Sequence, residues 1–351
     1  MSENRKLDSI MRKITSGFTG NPVTDMPYLQ KKCAEYKDHE LAEEIFIACN
    51  RLMNRMFSDS KKILQNDNLD EIARICEQNL DGIQSHIKSG KYDTACQLLK
   101  GYLEELELKN IVHEDAQYLY FNFSEYFEEI MYIRMNKPAK RVKRIPVPFG
   151  RMYLIYSWLL VELKQIEEAR KALLKGLSWN PVNFQLMAEY TETFKMEHNT
   201  DEFFRKTLDA YRIAFRSHDV ARCLRNIAYY FVENKLYKEA VGTLLLSTNF
   251  DEESPMVKQE LSYIETVGGI FEDPTAEDMM KCSEKFGFWC GADHDVIDIA
   301  YNYAHYALEG KDFETARYFA AILSDIVPTE EAREFLESIP ETDKEKNEKD
   351  V

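Results

Sequence analysis

The sequence predicts an all-α chain, an α-solenoid of antiparallel helix pairs with no sheet. Three observations lead there. First, 351 residues hold only 13 glycines and 10 prolines, about half the share of an ordinary globular chain. A sandwich or barrel needs a chain breaker every ten residues or so. Second, no valine occurs between Val23 and Val112, where a parallel sheet would need long Val/Ile runs. Third, one local pattern recurs: a short polar turn, an aromatic residue or Ile, and an Ala three residues later. It reads Lys91-Tyr92-Asp93-Thr94-Ala95, Gln165-Ile166-Glu167-Glu168-Ala169, Leu236-Tyr237-Lys238-Glu239-Ala240 and Asp312-Phe313-Glu314-Thr315-Ala316. In a tight helix pair the aromatic wedges between the helices, and the Ala sits where the second helix crosses too close for a larger side chain.

The elements follow in order. Leu7, Ile10, Met11, Ile14 and Phe18 fall at helical spacing opposite Arg5, Lys6, Arg12 and Lys13, so residues 1–27 read as a basic amphipathic arm. It is suited to docking on the chain's own array, on a partner, or peripherally on a membrane through residues 5–18. Residues 28–69, with Leu41, Ile45, Ala48, Leu52 and Met56 in register, read as capping helices. Residues 70–338 carry the repeat pattern. The key alanines lie 74, 71 and 76 residues apart, each about two periods of a 34-residue helix-pair repeat. A less regular pair is therefore expected in each interval, at 112–148, 183–217 and 254–290. In the first of these, Tyr118, Tyr120, Phe121, Phe123, Tyr126, Phe127 and Tyr132 would crowd one long, largely buried helix. Residues 339–351 offer nothing to anchor a helix and read as a disordered tail.

The segment Tyr153–Pro181 resembles the tetratricopeptide repeat (TPR) family, through Tyr153, Tyr156, Ser157, Leu160, Ala169, Leu173, Gly176 and Pro181. The family's Leu-Gly pair is replaced by Tyr156-Ser157, Ile227-Ala228 and Tyr303-Ala304. The resemblance, to bacterial TPR-like helical proteins, implies a right-handed superhelix that binds a protein or peptide on a concave face lined by the first helix of each pair. Carried over position by position, that face holds Leu154, Trp158 and Val161, then Arg222, Arg225, Asn226 and Tyr229, then Tyr301, Asn302 and His305. Arg222, Arg225 and Tyr229 would suit a carboxylate. The alternative is that both arginines pair with acids of the adjacent repeat, such as Glu189 or Glu192.

Charge and chemistry narrow the function. With 45 basic against 61 acidic residues, the net charge is −16, and nucleic acid is not an expected partner. Seven cysteines without a Cys-x-x-Cys pair suit a reduced, cytoplasmic setting. No phosphate-cradling glycine loop, nucleophile elbow or His-Glu-x-x-His occurs. Cys290 and His294 lack a second ligand pair, so neither metal nor cofactor is expected, and Asp293 or His294 reads as a helix cap. The predicted activity is therefore non-catalytic binding. A peptide-sensing regulator and a helical enzyme without a recognisable motif remain as alternatives. One basic cluster stands out, Lys137, Lys140, Arg141, Lys143 and Arg144, in a proline-flanked loop. It would either strap over an acidic groove of the chain itself or meet an acidic partner.

Overall fold

A computed structural model describes residues 3–18, 22–42, 44–49, 52, 69–108, 117–252, 254–269 and 272–341. Residues 342–351 of the expected tail and part of the capping segment lie outside the described residues; Ile339, which the sequence places in that tail, is instead buried, its carbonyl accepting from Arg317 at 2.8 Å. The chain divides into two compact units, residues 1–113 with 145–148, and residues 114–144 with 149–351. The division falls within the stretch 70–338 that the sequence presents as one array.

In the first unit, α1 (Glu3–Thr15) and α2 (Pro22–Glu35) precede helical residues 44–49, and α3 (Leu69–Lys88) pairs with α4 (Tyr92–Leu108). The apolar stripe of α1 is covered within the unit: Leu7, Ile10, Met11 and Ile14 pack with Leu29, Leu41, Ile45 and Cys49. Lys6 on the opposite side pairs with Glu40 at 2.7 Å.

The second unit opens with β1 (Tyr118–Phe121), α5 (Tyr126–Asn136) and β2 (Arg141–Arg144). This corrects the expected helix pair at 112–148 and the expected absence of a sheet. The strands pair in parallel, Tyr118 with Arg141 through to Phe121 with Arg144. On one side the cause is the aromatic run Tyr118–Phe123, which suits the pleated, half-buried geometry of a strand; on the other, Arg141–Arg144 becomes a strand by pairing with it. Pro138, Pro146 and Pro148 keep the basic segment from forming a regular helix. Phe121 packs its ring 4.5 Å from Tyr132 of α5, which closes the small unit on itself.

Helix pairs follow: α6 (Phe149–Glu162) with α7 (Ile166–Trp179), α8 (Phe184–Met196) with α9 (Thr200–Tyr211), and α10 (Ser217–Glu233) with α11 (Tyr237–Thr248). Helices α12 (Pro255–Gly268) and α13 (Ala276–Phe286) pack on α11. The last pair, α14 (His294–Glu309) and α15 (Phe313–Ile326), carries α16 (Glu330–Ser338). This is an α-solenoid of helix pairs. Ala95, Ala169, Ala240 and Ala316 are all fully buried, as the crossing argument requires. Gly176 serves the same closeness: a Cβ there would lie 2.9 Å from both Tyr153 Cβ and a Leu186 methyl.

The turns repeat as closely as the crossings. Gly90, Lys164, His198, Lys235 and Lys311 all have φ between 57° and 69°. Each stands five positions before the crossing residue, Ala95, Ala169, Phe203, Ala240 and Ala316 in turn. Each also closes its helix with the same two hydrogen bonds. The Lys164 N–H donates to the Val161 carbonyl and the Gln165 N–H to the Leu160 carbonyl, and the same pair of bonds recurs at the other four turns. This is a Schellman closure, normally built on glycine. Four of these five turns use a lysine or histidine instead.

The array does not run on uniformly. Helix α14 packs on α5, and α15 touches α10. Phe127 of α5 is fully buried, its ring 4.9 Å from Phe215 and 5.8 Å from Phe319 of α15. Its backbone N–H donates to the Tyr318 hydroxyl at 3.1 Å, and that hydroxyl donates to Glu125, which also accepts from Arg216. The Ser217 N–H at the start of α10 donates to Asp325 at 2.9 Å. The strand–helix–strand segment thus ties the middle of the array to its last pair.

Candidate ligand-binding face

Ser157 of α6, Thr191 of α8 and Ala228 of α10 are buried, and the residues one position on, Trp158, Glu192 and Tyr229, are exposed or half-buried, so they mark the outer side of each first helix.

Along that side the arginines are engaged. Arg222 donates to Glu189 at 3.0 Å and lies 3.6 Å from Glu192. Asn226 donates to Glu192 at 3.3 Å. Arg225, its side chain only 16% exposed, donates to Asp251 at 2.8 Å. To receive an anion, both guanidinium groups would need open donors, and the acids of neighbouring helices already occupy them. Attraction to Glu189 and Glu192 lifts the Arg222 pKa further against the cost of its burial. Tyr229 meets Phe203 edge-on at 5.4 Å and lies under the Lys195 ammonium at 4.1 Å. Trp158 of α6 is 41% exposed, and the Glu189 side chain that holds Arg222 is 44% exposed.

The other predicted positions are placed apart from this cluster. Leu154 packs with Leu173, Leu177 and Leu186 in a local apolar cluster, and Val161 is half-buried. On α14, His305 stacks on Phe335 of α16 at 4.6 Å and touches Tyr301 at 4.3 Å, while Asn302 donates within its own helix to the Asp298 carbonyl. In the basic segment, Lys137 closes α5 in the left-handed conformation. Lys140 is half-buried, and Arg141, Lys143 and Arg144 are exposed along β2. The segment is a strand rather than a loop. Lys143 stands over the Tyr118 and Tyr120 rings, and Arg144 lies 3.6 Å from Glu129.

Asp293 is the cap of α14, accepting from the Asp295 N–H at 2.9 Å, and His294 stacks on Trp289. Among the described residues no group of His, Cys, Asp and Glu is arranged to hold a metal ion. No helix among them is long and apolar enough to cross a membrane.

One acid near the face is held out of water. Burial raises the Asp219 pKa from 3.8 to about 6, against the opposing pull of His218, Arg222 and Arg216. A folded-state pKa above the unfolded one favours folding below pH 3.8, and that contribution is lost as pH rises through about 6. Asp219→Asn should therefore stabilise the protein at pH 7.5 by about 1–2 kcal/mol after allowance for screening. The gain should vanish below pH 4, where the wild-type acid is already protonated; thermal melts at both pH values measure it.

The fold is that of a helical-repeat array. No family model and no curated protein matches the chain. Among solved structures it is similar to pilF of Pseudomonas aeruginosa, at 13% identity and a TM-score of 0.39 over 76% of this chain and 98% of that one. It is also similar to the C-terminal part of a TPR repeat-containing protein of Cytophaga hutchinsonii, at 12% identity and a TM-score of 0.33, covering 80% and 99%. A circular tandem repeat protein with novel repeat topology aligns at 16% identity and a TM-score of 0.26, covering 95% and 74%.

Proposed function

We propose that the chain is a non-catalytic, cytoplasmic protein-binding scaffold, and that the side of α6, α8 and α10 carrying Trp158, Glu189 and Glu192 receives a basic segment of a partner protein. The observation that carries this reading is the engagement of Arg222 and Arg225 by acids. Once these pairs form, Arg222 and Arg225 are directed to the chain's own acids rather than to an anionic peptide. The face offers the carboxylates of Glu189 and Glu192 on α8, with the part-exposed Trp158 on α6, the helix that α8 touches. Acids of this kind suit an arginine- or lysine-bearing peptide through charge-assisted hydrogen bonds, with the indole as an added apolar contact. All seven cysteines are free thiols, in keeping with a reducing compartment.

The test is fluorescence anisotropy with a labelled arginine-rich dodecapeptide and its glutamate-rich counterpart. Glu189→Gln with Glu192→Gln should weaken the basic peptide about fivefold or more at low salt. Glu277→Gln with Glu284→Gln, an equal charge change on α13, should leave it within about twofold. Preference for the acidic peptide, or equal loss in both double variants, would discard the reading.

A further inference from the structure

The first unit contains a cavity that the scaffold reading does not use. It has a volume of about 630 Å³ and is bounded by α2, the helical residues near 46, α3 and the start of α4. That volume lies within the range of small-molecule sites. Phe46, Ile83 and Leu98 supply an apolar wall, while Lys37 and Lys91 bring two ammonium groups, and no carboxylate lines it among the described residues. In a chain of net charge −16, a described lining that holds two cations departs from the prevailing charge.

Two further observations point to a ligand. Asn79 sits on α3 facing this cavity and is only 5% exposed. Its carboxamide makes no hydrogen bond among the described residues, and it is not one of the sealed, unpaired groups of the interior, so it opens on the cavity. A carboxamide left unpaired on a cavity wall is poised for a polar atom arriving from outside the protein. Ser89, Lys91 and Thr94 also line the space, which sets it against the amino end of α4, a helix of 17 residues. First-turn N–H groups and the helix dipole favour an anion there. Lys91 has no ion-pair partner among the described residues, and Lys37 comes within 4.0 Å only of the exposed Asp38.

We propose that this cavity binds a small organic carboxylate with an apolar body, its charge answered by Lys91, Lys37 and the amino end of α4, a polar atom by Asn79, and its body by Phe46, Ile83 and Leu98. The site belongs to the first unit and is independent of the acidic face of the second.

The experiment is calorimetric titration of the full chain with acetate, decanoate, 1-naphthaleneacetate and the neutral isostere 1-naphthaleneacetamide. Saturable binding of decanoate or naphthaleneacetate is expected, with the better of the two distinguishing an aliphatic from an aromatic body. Acetate should bind at least about tenfold more weakly for want of that body. Naphthaleneacetamide should bind at least about fivefold more weakly than the acid, and Lys91→Gln should weaken the acid by a similar factor while leaving the amide unchanged. Asn79→Leu supplies a second arm: it removes the amide at near-equal volume, so it should weaken the acid while the free protein keeps its wild-type circular dichroism and a cooperative melt. No saturable binding of any member up to about 5 mM, equal affinity for acid and amide, or unchanged acid affinity in Lys91→Gln would each overturn the proposal.

Discussion

Phe127→Ala should destabilise the protein by about 3–5 kcal/mol, the range for deleting a fully buried aromatic from a core. The ring stacks on Phe215 and abuts Phe319, which lie 88 and 192 positions further along the chain. Its loss therefore opens a cavity where three separate elements meet, and no one of them can collapse to fill it. Tyr126→Ala is the control. Tyr126 is adjacent in sequence but 44% exposed, touching Phe319 only edge-on at 5.9 Å, and should cost about 1 kcal/mol. Urea unfolding followed by circular dichroism measures both, and comparable losses would show that α5 does not anchor the last pair.

Glu128→Ala should cost on the order of 2–4 kcal/mol. The Glu128 carboxylate is buried and collects four donors: the Ser124 N–H at 2.6 Å, the Glu125 N–H at 3.2 Å, Asn180 at 2.9 Å and Asn183 at 3.3 Å. Asn183 in turn caps α8 by accepting from the Leu186 N–H. One side chain thus closes the start of α5 and steadies the turn between α7 and α8. Burial pushes its pKa up, although the donors from Asn180 and the backbone pull the other way. Glu128→Gln can keep its oxygen on the Ser124, Glu125 and Asn180 donors and turn its NH2 toward Asn183 alone, so it should fall between wild type and Ala in the same unfolding assay. A Gln variant as damaged as Ala would assign the effect to charge rather than to hydrogen bonding.

The parts of the fold that were legible in sequence are those whose cause is local. A turn, an aromatic wedge and an Ala occur within a few residues of one another, and Ala95, Ala169, Ala240 and Ala316 accordingly lie buried at their crossings. The strand pair was not legible, because its cause is distributed. Tyr118–Phe121 joins Arg141–Arg144, a four-residue basic segment whose own periodicity carries no strand signal. The left-handed lysines were also hidden, since lysine is an ordinary helix former. Their fixed offset of five positions before the crossing residue would have revealed them. For the candidate face, helical spacing brought Arg222, Arg225 and Tyr229 to one side of α10, and Glu189 and Glu192 could be foreseen as partners from the neighbouring pair. Asp251 could not, because it follows the end of α11 and its approach to Arg225 depends on how that helix terminates.

The link from Phe127 to Tyr318 spans 191 residues, and it changes how the second unit should come apart. A plain repeat array behaves as a one-dimensional chain of neighbours, in which folding starts anywhere and the ends fray independently. Here the terminal pair is fastened to a segment near the other end of the unit, so α14 and α15 do not release without uncovering α5. That closure exchanges rapid zippering from local contacts for a slow step of high contact order, since the loop must close before its contacts form. In return, amide exchange should be lost as one cooperative block across α5, α10 and α15 rather than in a gradient from the carboxyl end.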